Sequence, residues 1–170
     1  MSNYYYEEKN SYLATLALVR ANNHDLTSFI LFGLKGVAVQ CQRLFEEIKK
    51  NISKALFKDV MYNLFMRLQS TRKRVIAERQ VEILKVLLDS PQILDNLHKK
   101  LHHLYNNLSN PTKAFYRDIN NLIALKAISY TKNQNIYNMS VRLEWATEIT
   151  ESEFFQQSKD LPKAKSHSFL

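Results

Sequence analysis

The stretch "NPTKAFYRDINNLIALKAISY", residues 110–130, contains the features that decide the fold. Ser109 or Asn110 can cap a helix whose first position is Pro111, an arrangement typical of a helix N-terminus. A predicted buried stripe follows at helical spacing: Phe115, Ile119, Leu122 and Ile123. The spacing then changes to that of a strand, so we predict a helix followed directly by a β-hairpin.

The residues on either side of this helix complete a recognisable order of elements. Apolar residues flank the polar turn "TKNQN", residues 131–135, as in two short antiparallel strands. Upstream, a short amphipathic helix stops at Ser90-Pro91, and a second helix covers 93–107. Three helices and a hairpin are the order of a winged helix-turn-helix.

The first half of the chain is predicted to be helical. Residues 3–21 and 26–50 place apolar side chains at three-to-four spacing, and the polar "NNHD" between them can cap the second helix. Gly33 and Gly36 lie within it, which indicates close approach of a neighbouring helix. Residues 52–78 continue the helical period.

We therefore predict a mainly α protein, a helical bundle segment followed by a winged helix-turn-helix with a small β-hairpin. The predicted divisions are a helical segment with a linker helix at 1–78, the winged domain at 79–149 and a flexible tail at 150–170. Only two glycines and three prolines occur in 170 residues, which argues against a sandwich, a barrel or a glycine-rich nucleotide fold.

The charge and the cysteine content limit the partners and the compartment. A net charge of +8 makes nucleic acid a plausible partner, ahead of an acidic membrane surface. The single Cys41 excludes an internal disulfide and fits a reducing compartment. There is no charged-then-apolar leader, and no apolar run approaches the ~18 residues of a membrane span. These features predict a soluble, cytoplasmic protein without a membrane partner.

The outward face of the third helix supplies a candidate DNA-binding surface, because Arg and Asn distinguish guanine and adenine in the major groove. Lysine and hydroxyl groups at the helix start suit phosphates, and a lysine at the hairpin tip suits a wing. The candidates are Ser109, Thr112, Lys113, Tyr116, Arg117, Asn120, Asn121 and Lys132. The length of the second helix and of the "NNLSNP" turn argues against the usual docking angle.

A second basic cluster precedes the winged part. It consists of Arg67, Arg72, Lys73, Arg74 and Arg79. The cluster is either a solvated helical face or a basic collar beside a nucleic-acid site.

No motif predicts catalysis or a cofactor. His98 and His102 are four residues apart, with Asp95 one turn earlier, but Lys99 and Lys100 between them repel a divalent ion. The polar helix surface is therefore the preferred interpretation, and no metal is assigned. The two glycines, Gly33 and Gly36, are not placed to form a P-loop, a GxGxxG or a GxSxG motif.

The segment 4–48 resembles the part of Fic-family proteins that follows their active-site loop. A Tyr-rich start leads through an Asp turn to a helix with Phe29, Ile30, Phe32 and Leu34 at the family's spacing. In many such proteins a linking helix and a winged helix come next. The resemblance thus spans most of the chain.

The resemblance implies a parent protein that transfers AMP from ATP to a protein hydroxyl. The family's loop, approximately HPFxxGNGRxxR, is not matched, and none of the five histidines is followed by Pro-Phe. We therefore assign no catalytic residue and predict a non-catalytic C-terminal portion, whose winged helix binds double-stranded DNA or regulates a Fic catalytic core. The alternative is an interaction module without nucleic-acid binding, which forms a homodimer through the helical segment.

Overall fold

The computed structural model describes residues 2–68, 71–134 and 136–160. Its α-helices are α1 (Ser2–Glu7), α2 (Lys9–Ala21), α3 (Thr27–Met66), α4 (Thr71–Asp89), α5 (Leu94–Leu101), α6 (Pro111–Ala124), α7 (Trp145–Glu148) and α8 (Glu151–Asp160). A 3-10 turn covers His102–Leu104, and the strands are β1 (Gln92–Ile93), β2 (Ile128–Asn133) and β3 (Ile136–Val141). The predicted class, mainly α with a small β-hairpin, is confirmed.

The chain divides into two compact units within α3, and each has its own packing. Unit 1 ends at Ile52 and unit 2 begins at Ser53. The domain prediction had placed a division at residue 78, which instead lies inside α4. No glycine or proline occurs between Gly36 and Pro91, so the sequence contains no strong helix breaker that would mark the division.

Unit 1 is held together by aromatic side chains at the start of the chain. The ring of Tyr4 lies 5.4 Å from that of Phe32, and the ring of Tyr12 lies 6.1 Å from that of Phe29, measured between centroids. The predicted cap of α3 is present, since Asp25 Oδ1 accepts hydrogen bonds from the Thr27 backbone N–H and hydroxyl. This cap stabilises the N-terminus of α3, which follows the turn after α2.

Gly36 is required by the packing of Tyr4. A Cβ at Gly36 would lie 2.5 Å from Cδ1 of the Tyr4 ring, whereas one at Gly33 would meet its nearest neighbour, the Tyr5 hydroxyl, at 3.7 Å. Close approach of a neighbouring helix is therefore confirmed at Gly36.

The two glycines are expected to respond in opposite ways to alanine. Gly33→Ala should stabilise unit 1 by up to ~1 kcal/mol, because alanine has the higher helix propensity. Gly36→Ala should destabilise it, because the clash with Tyr4 costs ~1–3 kcal/mol. Thermal unfolding followed by circular dichroism compares them. Equal shifts of Tm in the same direction would contradict the placement of Tyr4.

Unit 2 has the topology of a winged helix. Its antiparallel sheet has the strand order β1-β3-β2, with Gln92 opposite Met139 and Tyr130 opposite Met139 on the other side. The helices α4, α5 and α6 pack with this sheet over one apolar core. Its largest fully buried side chains include Phe57, Phe65, Phe115, Trp145 and Phe154.

Two elements differ from their predicted extent for identifiable reasons. The second helix of the winged part was predicted over 93–107, but α5 ends at Leu101 and the chain leaves the α-helical path. This change places Tyr105 in the core with no exposed surface. The shorter α5 removes one objection to the usual docking geometry, although the connection to α6 remains long.

The beginning of the predicted flexible tail is a helix. Residues 151–160 form α8, whose Phe154 is fully buried and lies 5.1 Å from the ring of Phe65. Glu151 also pairs with Arg67 at 2.6 Å. The tail therefore contributes to the core up to α8, and residues 161–170 lie outside the described residues.

Candidate nucleic-acid interface

The N-terminus of α6 is capped, and it presents exposed side chains. Asn110, rather than Ser109, is the cap, and its Oδ1 accepts a hydrogen bond from the Lys113 backbone N–H at 3.2 Å. Pro111 occupies the first turn as predicted. The side chains of Ser109, Thr112 and Lys113 are exposed. An N-terminus of this kind favours an anionic group at its end.

The next turn of α6 is only partly open to solvent. Tyr116 is half-buried, with its ring 6.2 Å from that of His98 on α5. Arg117 keeps 42% of its side chain exposed, while its Nε lies 3.7 Å from Oδ1 of Asp118. The carboxylate thus holds one edge of the guanidinium and leaves much of the side chain available to a ligand.

Asn120 and Asn121 are not part of an open surface. They are 5% and 4% exposed, so neither amide can meet a base edge in this conformation. The prediction that they face outward is wrong. A single apolar stripe does not describe α6, because the helix contacts both α4 and β2 and is buried throughout residues 118–122.

Lys132 lies on the hairpin as predicted, two residues before Gln134. Its side chain is exposed, and Nζ lies 5.2 Å from the centroid of the Tyr137 ring, a cation–π contact across the two strands. Gln134 has a φ of 55°, the left-handed conformation expected at a tight hairpin turn. Within the described residues, no hydrogen bond or ion pair joins Lys132 to the exposed side chains of α6.

The buried side of α6 carries an ion pair that sequence reasoning missed. Asp118 has no exposed surface, and its Oδ2 accepts hydrogen bonds from Arg79 Nε at 2.9 Å and the Tyr105 hydroxyl at 3.1 Å. The Arg79 guanidinium also lies over the Tyr105 ring at 5.2 Å. These contacts join α4, α6 and the turn before α6.

Burial decides the electrostatics of this cluster. Loss of solvent raises the pKa of the Asp118 carboxyl, against the opposing effect of the Arg79 guanidinium. Burial, together with the Asp118 charge, also raises the pKa of Tyr105, so its hydroxyl remains a donor. The cluster therefore positions α6 and is not a surface for a ligand.

Arg79 does not belong to a basic collar. It is 7% exposed and paired with Asp118, because it lies on the face of α4 that packs against α6. Arg67 is exposed but paired with Glu151. The side chains of Arg72, Lys73 and Arg74 lie outside the described residues. A sequence signal for the burial of Asp118 did exist, since it follows Phe115 by three residues and falls on the buried side of α6.

Two lysines on α5 extend the basic surface beyond the predicted residues. Lys99 and Lys100 are exposed and form no ion pair with a described residue. They lie in the last turn of the first helix of the helix-turn-helix pair. That helix crosses the phosphate backbone when such a motif binds DNA. Sequence reasoning considered them only as neighbours of a metal site.

His98 on α5 contributes to packing. The His98 ring is half-buried, 4.8 Å from the Phe115 ring, and burial lowers the pKa of His98. His102 lies 5.8 Å from His98 but is exposed. Among the residues that the structure describes, no group of three or more His, Cys, Asp or Glu side chains could hold a metal ion.

Nothing outside the chain itself assigns a ligand to this surface. Comparisons with protein-family models, with curated proteins and with solved structures found no match. Within the described ranges, no helix is long and apolar enough to cross a membrane. What the surface binds is therefore inferred from its own residues and geometry.

Proposed function

We propose that unit 2 binds double-stranded DNA through the first two turns of α6. The observation that carries the proposal is the position of the exposed residues. Thr112 and Lys113 are exposed and Arg117 is partly exposed at the start of the second helix of a winged helix-turn-helix, where such motifs contact bases, whereas residues 118–122 of α6 are buried.

Each exposed group has a role in this proposal that its chemistry allows. Lys113 and Thr112 contact phosphate oxygens beside the helix N-terminus. Arg117 donates to O6 and N7 of a guanine in the major groove. Lys99 and Lys100 contact the backbone from α5, and Lys132 contacts it from the hairpin.

The phosphate contact is tested by the dependence of affinity on salt. We expect Lys113→Ala to weaken binding to a labelled duplex of random sequence, and to reduce the slope of log K against log salt by about 0.9. Fluorescence anisotropy across a salt series measures both quantities. Lys58→Ala removes the same charge from an exposed position on α3 of unit 2, and should leave the slope near the wild-type value. An unchanged slope in Lys113→Ala would rule out its phosphate contact.

The base contact is tested at Arg117 with a duplex selected from a randomised pool. Arg117→Lys keeps the charge but loses the planar fork, so the preference for the selected duplex over a scrambled one should fall by ~1–3 kcal/mol. Binding to the scrambled duplex should change little. Failure to select any sequence, with a salt slope that no surface lysine alters, would reject DNA recognition by α6.

A further inference from the structure

The outward face of α3 in unit 1 carries a continuous row of exposed apolar residues. The row, here called the α3 seam, advances in alternating steps of four and three residues. Its members are Ile30, Leu34, Val37, Cys41, Leu44 and Ile48. Ile52 extends the row by a further four residues, one more than the alternation requires; all seven are exposed. The four steps from Ile30 to Leu44 cover 14 residues, an average of 3.5, which is the repeat of helices that pack along each other in coiled coils.

The seam is separate from the face that unit 1 uses for its own packing. The α1–α2 segment covers the side of α3 that carries Phe29, Phe32 and Gly36. Gly36 follows Leu34 by two residues, which corresponds to about 200° around the helix. The described residues of unit 1 therefore leave the seam exposed.

The exposed area of the seam is in the range of a dimer interface. Leu34, Leu44 and Ile52 are 61%, 58% and 63% exposed, and Phe45 beside them is 59% exposed. Seven such half-exposed side chains offer on the order of 600 Å² if each has about 150–200 Å² of surface. Stable interfaces bury about 800 Å² per partner, including a polar rim. Surface of this size is at the upper end of the largest apolar patch that a monomer commonly leaves open, about 300–600 Å².

The chemistry of the seam suits a second copy of the same chain. None of its heptad positions carries a charge, so a partner needs only a matching apolar row. The flanking charges are of both signs, as at Lys35, Glu47 and Lys49. Two copies therefore do not repel each other as two surfaces of one charge sign would. In a dimer with a two-fold axis, each seam covers the other, so no apolar row is left exposed to recruit a further copy.

We propose that two copies of this chain form a dimer by packing their α3 seams together over residues 30–52. This goes beyond DNA binding and does not depend on it, since unit 1 carries the seam. Cys41 lies at the centre of the seam. Two copies of Cys41 therefore approach each other when the helices run parallel, and also when they run antiparallel about a central axis.

The test uses the full chain without DNA. Light scattering across roughly 1–100 µM should give twice the chain mass of 20.0 kDa, and dilution should reduce it if Kd lies in that range. The double variant Leu34→Glu/Leu44→Glu should weaken association by at least ~100-fold, because it buries four carboxylates in the dimer. Both side chains are exposed in unit 1, and circular dichroism should show an unchanged helix content.

The matched control is Leu13→Glu/Leu18→Glu, which changes two leucines on α2 that are 51% and 50% exposed. It should leave the dimer intact. A monomer across the whole range, or a dimer lost only in the α2 variant, would overturn the proposal. So would a mass that rises with concentration without stopping at the dimer.

A cross-link provides a second measurement that does not require a variant. Cys41 is the single cysteine of the chain, so any disulfide must join two copies. Mild oxidation should convert most of the protein into a species of doubled mass on a non-reducing gel, and the Leu34→Glu/Leu44→Glu variant should form little of it. Equal cross-linking in both proteins would mean that it occurs by collision, and would count against the seam.

Discussion

Asp118→Ala is expected to lower the free energy of unfolding of unit 2 by about 3–5 kcal/mol. The substitution leaves the Arg79 charge buried without its partner and removes the acceptor of the Tyr105 hydroxyl. Chemical denaturation followed by the fluorescence of Trp145 measures the loss. Asp89→Ala, which removes an exposed carboxylate at the end of α4, should change stability by less than about 0.5 kcal/mol.

A double variant distinguishes the effect of leaving Arg79 without its charge partner from the effect of losing the Asp118 side chain. Arg79→Met/Asp118→Leu removes both charges, and apolar replacement of a buried pair is often neutral. It should therefore recover a large part of the stability that Asp118→Ala loses. If Arg79→Met and Asp118→Ala instead gave independent, additive losses, the two side chains would not be coupled and the described pair would be wrong.

Phe57→Ala should destabilise unit 2 by a similar amount, about 3–5 kcal/mol. Phe57 has no exposed surface, and its ring lies 5.3 Å from that of Trp145, so truncation leaves a cavity against the indole. Trp145 is the single tryptophan of the chain, so tryptophan emission reports on the surroundings of this one indole. Phe57→Leu, which fills more of the space, should cost less than about half as much.

The position of Trp145 is tested by the same measurement. The native protein should show the blue-shifted emission of a buried indole, which moves to the red on unfolding. A native spectrum that already resembles the unfolded one would contradict the packing of Phe57 on Trp145.

The sequence was sufficient to predict features that depend on neighbouring residues. The cap and proline at the start of α6, the change from helical to strand spacing after it, and the Asp25 cap of α3 are all present. Each depends on a few adjacent side chains, which act on the backbone within one turn. The resemblance to the Fic family remains a prediction, since no comparison tests it.

Features set by distant residues were not predictable in the same way. β1 has only two residues, too few to show alternation, and it exists because Gln92 and Ile93 pair with Met139 and Asn138. Asn120 and Asn121 look like an outward polar pair in the sequence, but α6 is covered on more than one side. The partner of Arg79 lies 39 residues away at Asp118, and no local pattern relates them.

In the proposed DNA-binding role, the short open surface of α6 would limit how much sequence one chain can recognise. Its first two turns, residues 111–118, are about 12 Å long at ~1.5 Å per residue, and this length spans about four base pairs at ~3.4 Å each. A given sequence of four base pairs occurs by chance about every 250 positions, whereas genomes offer ~10⁶–10⁹ competing sites. Recognition of a single site among that many requires a longer DNA sequence. Two chains joined through their α3 seams would supply two such recognition surfaces.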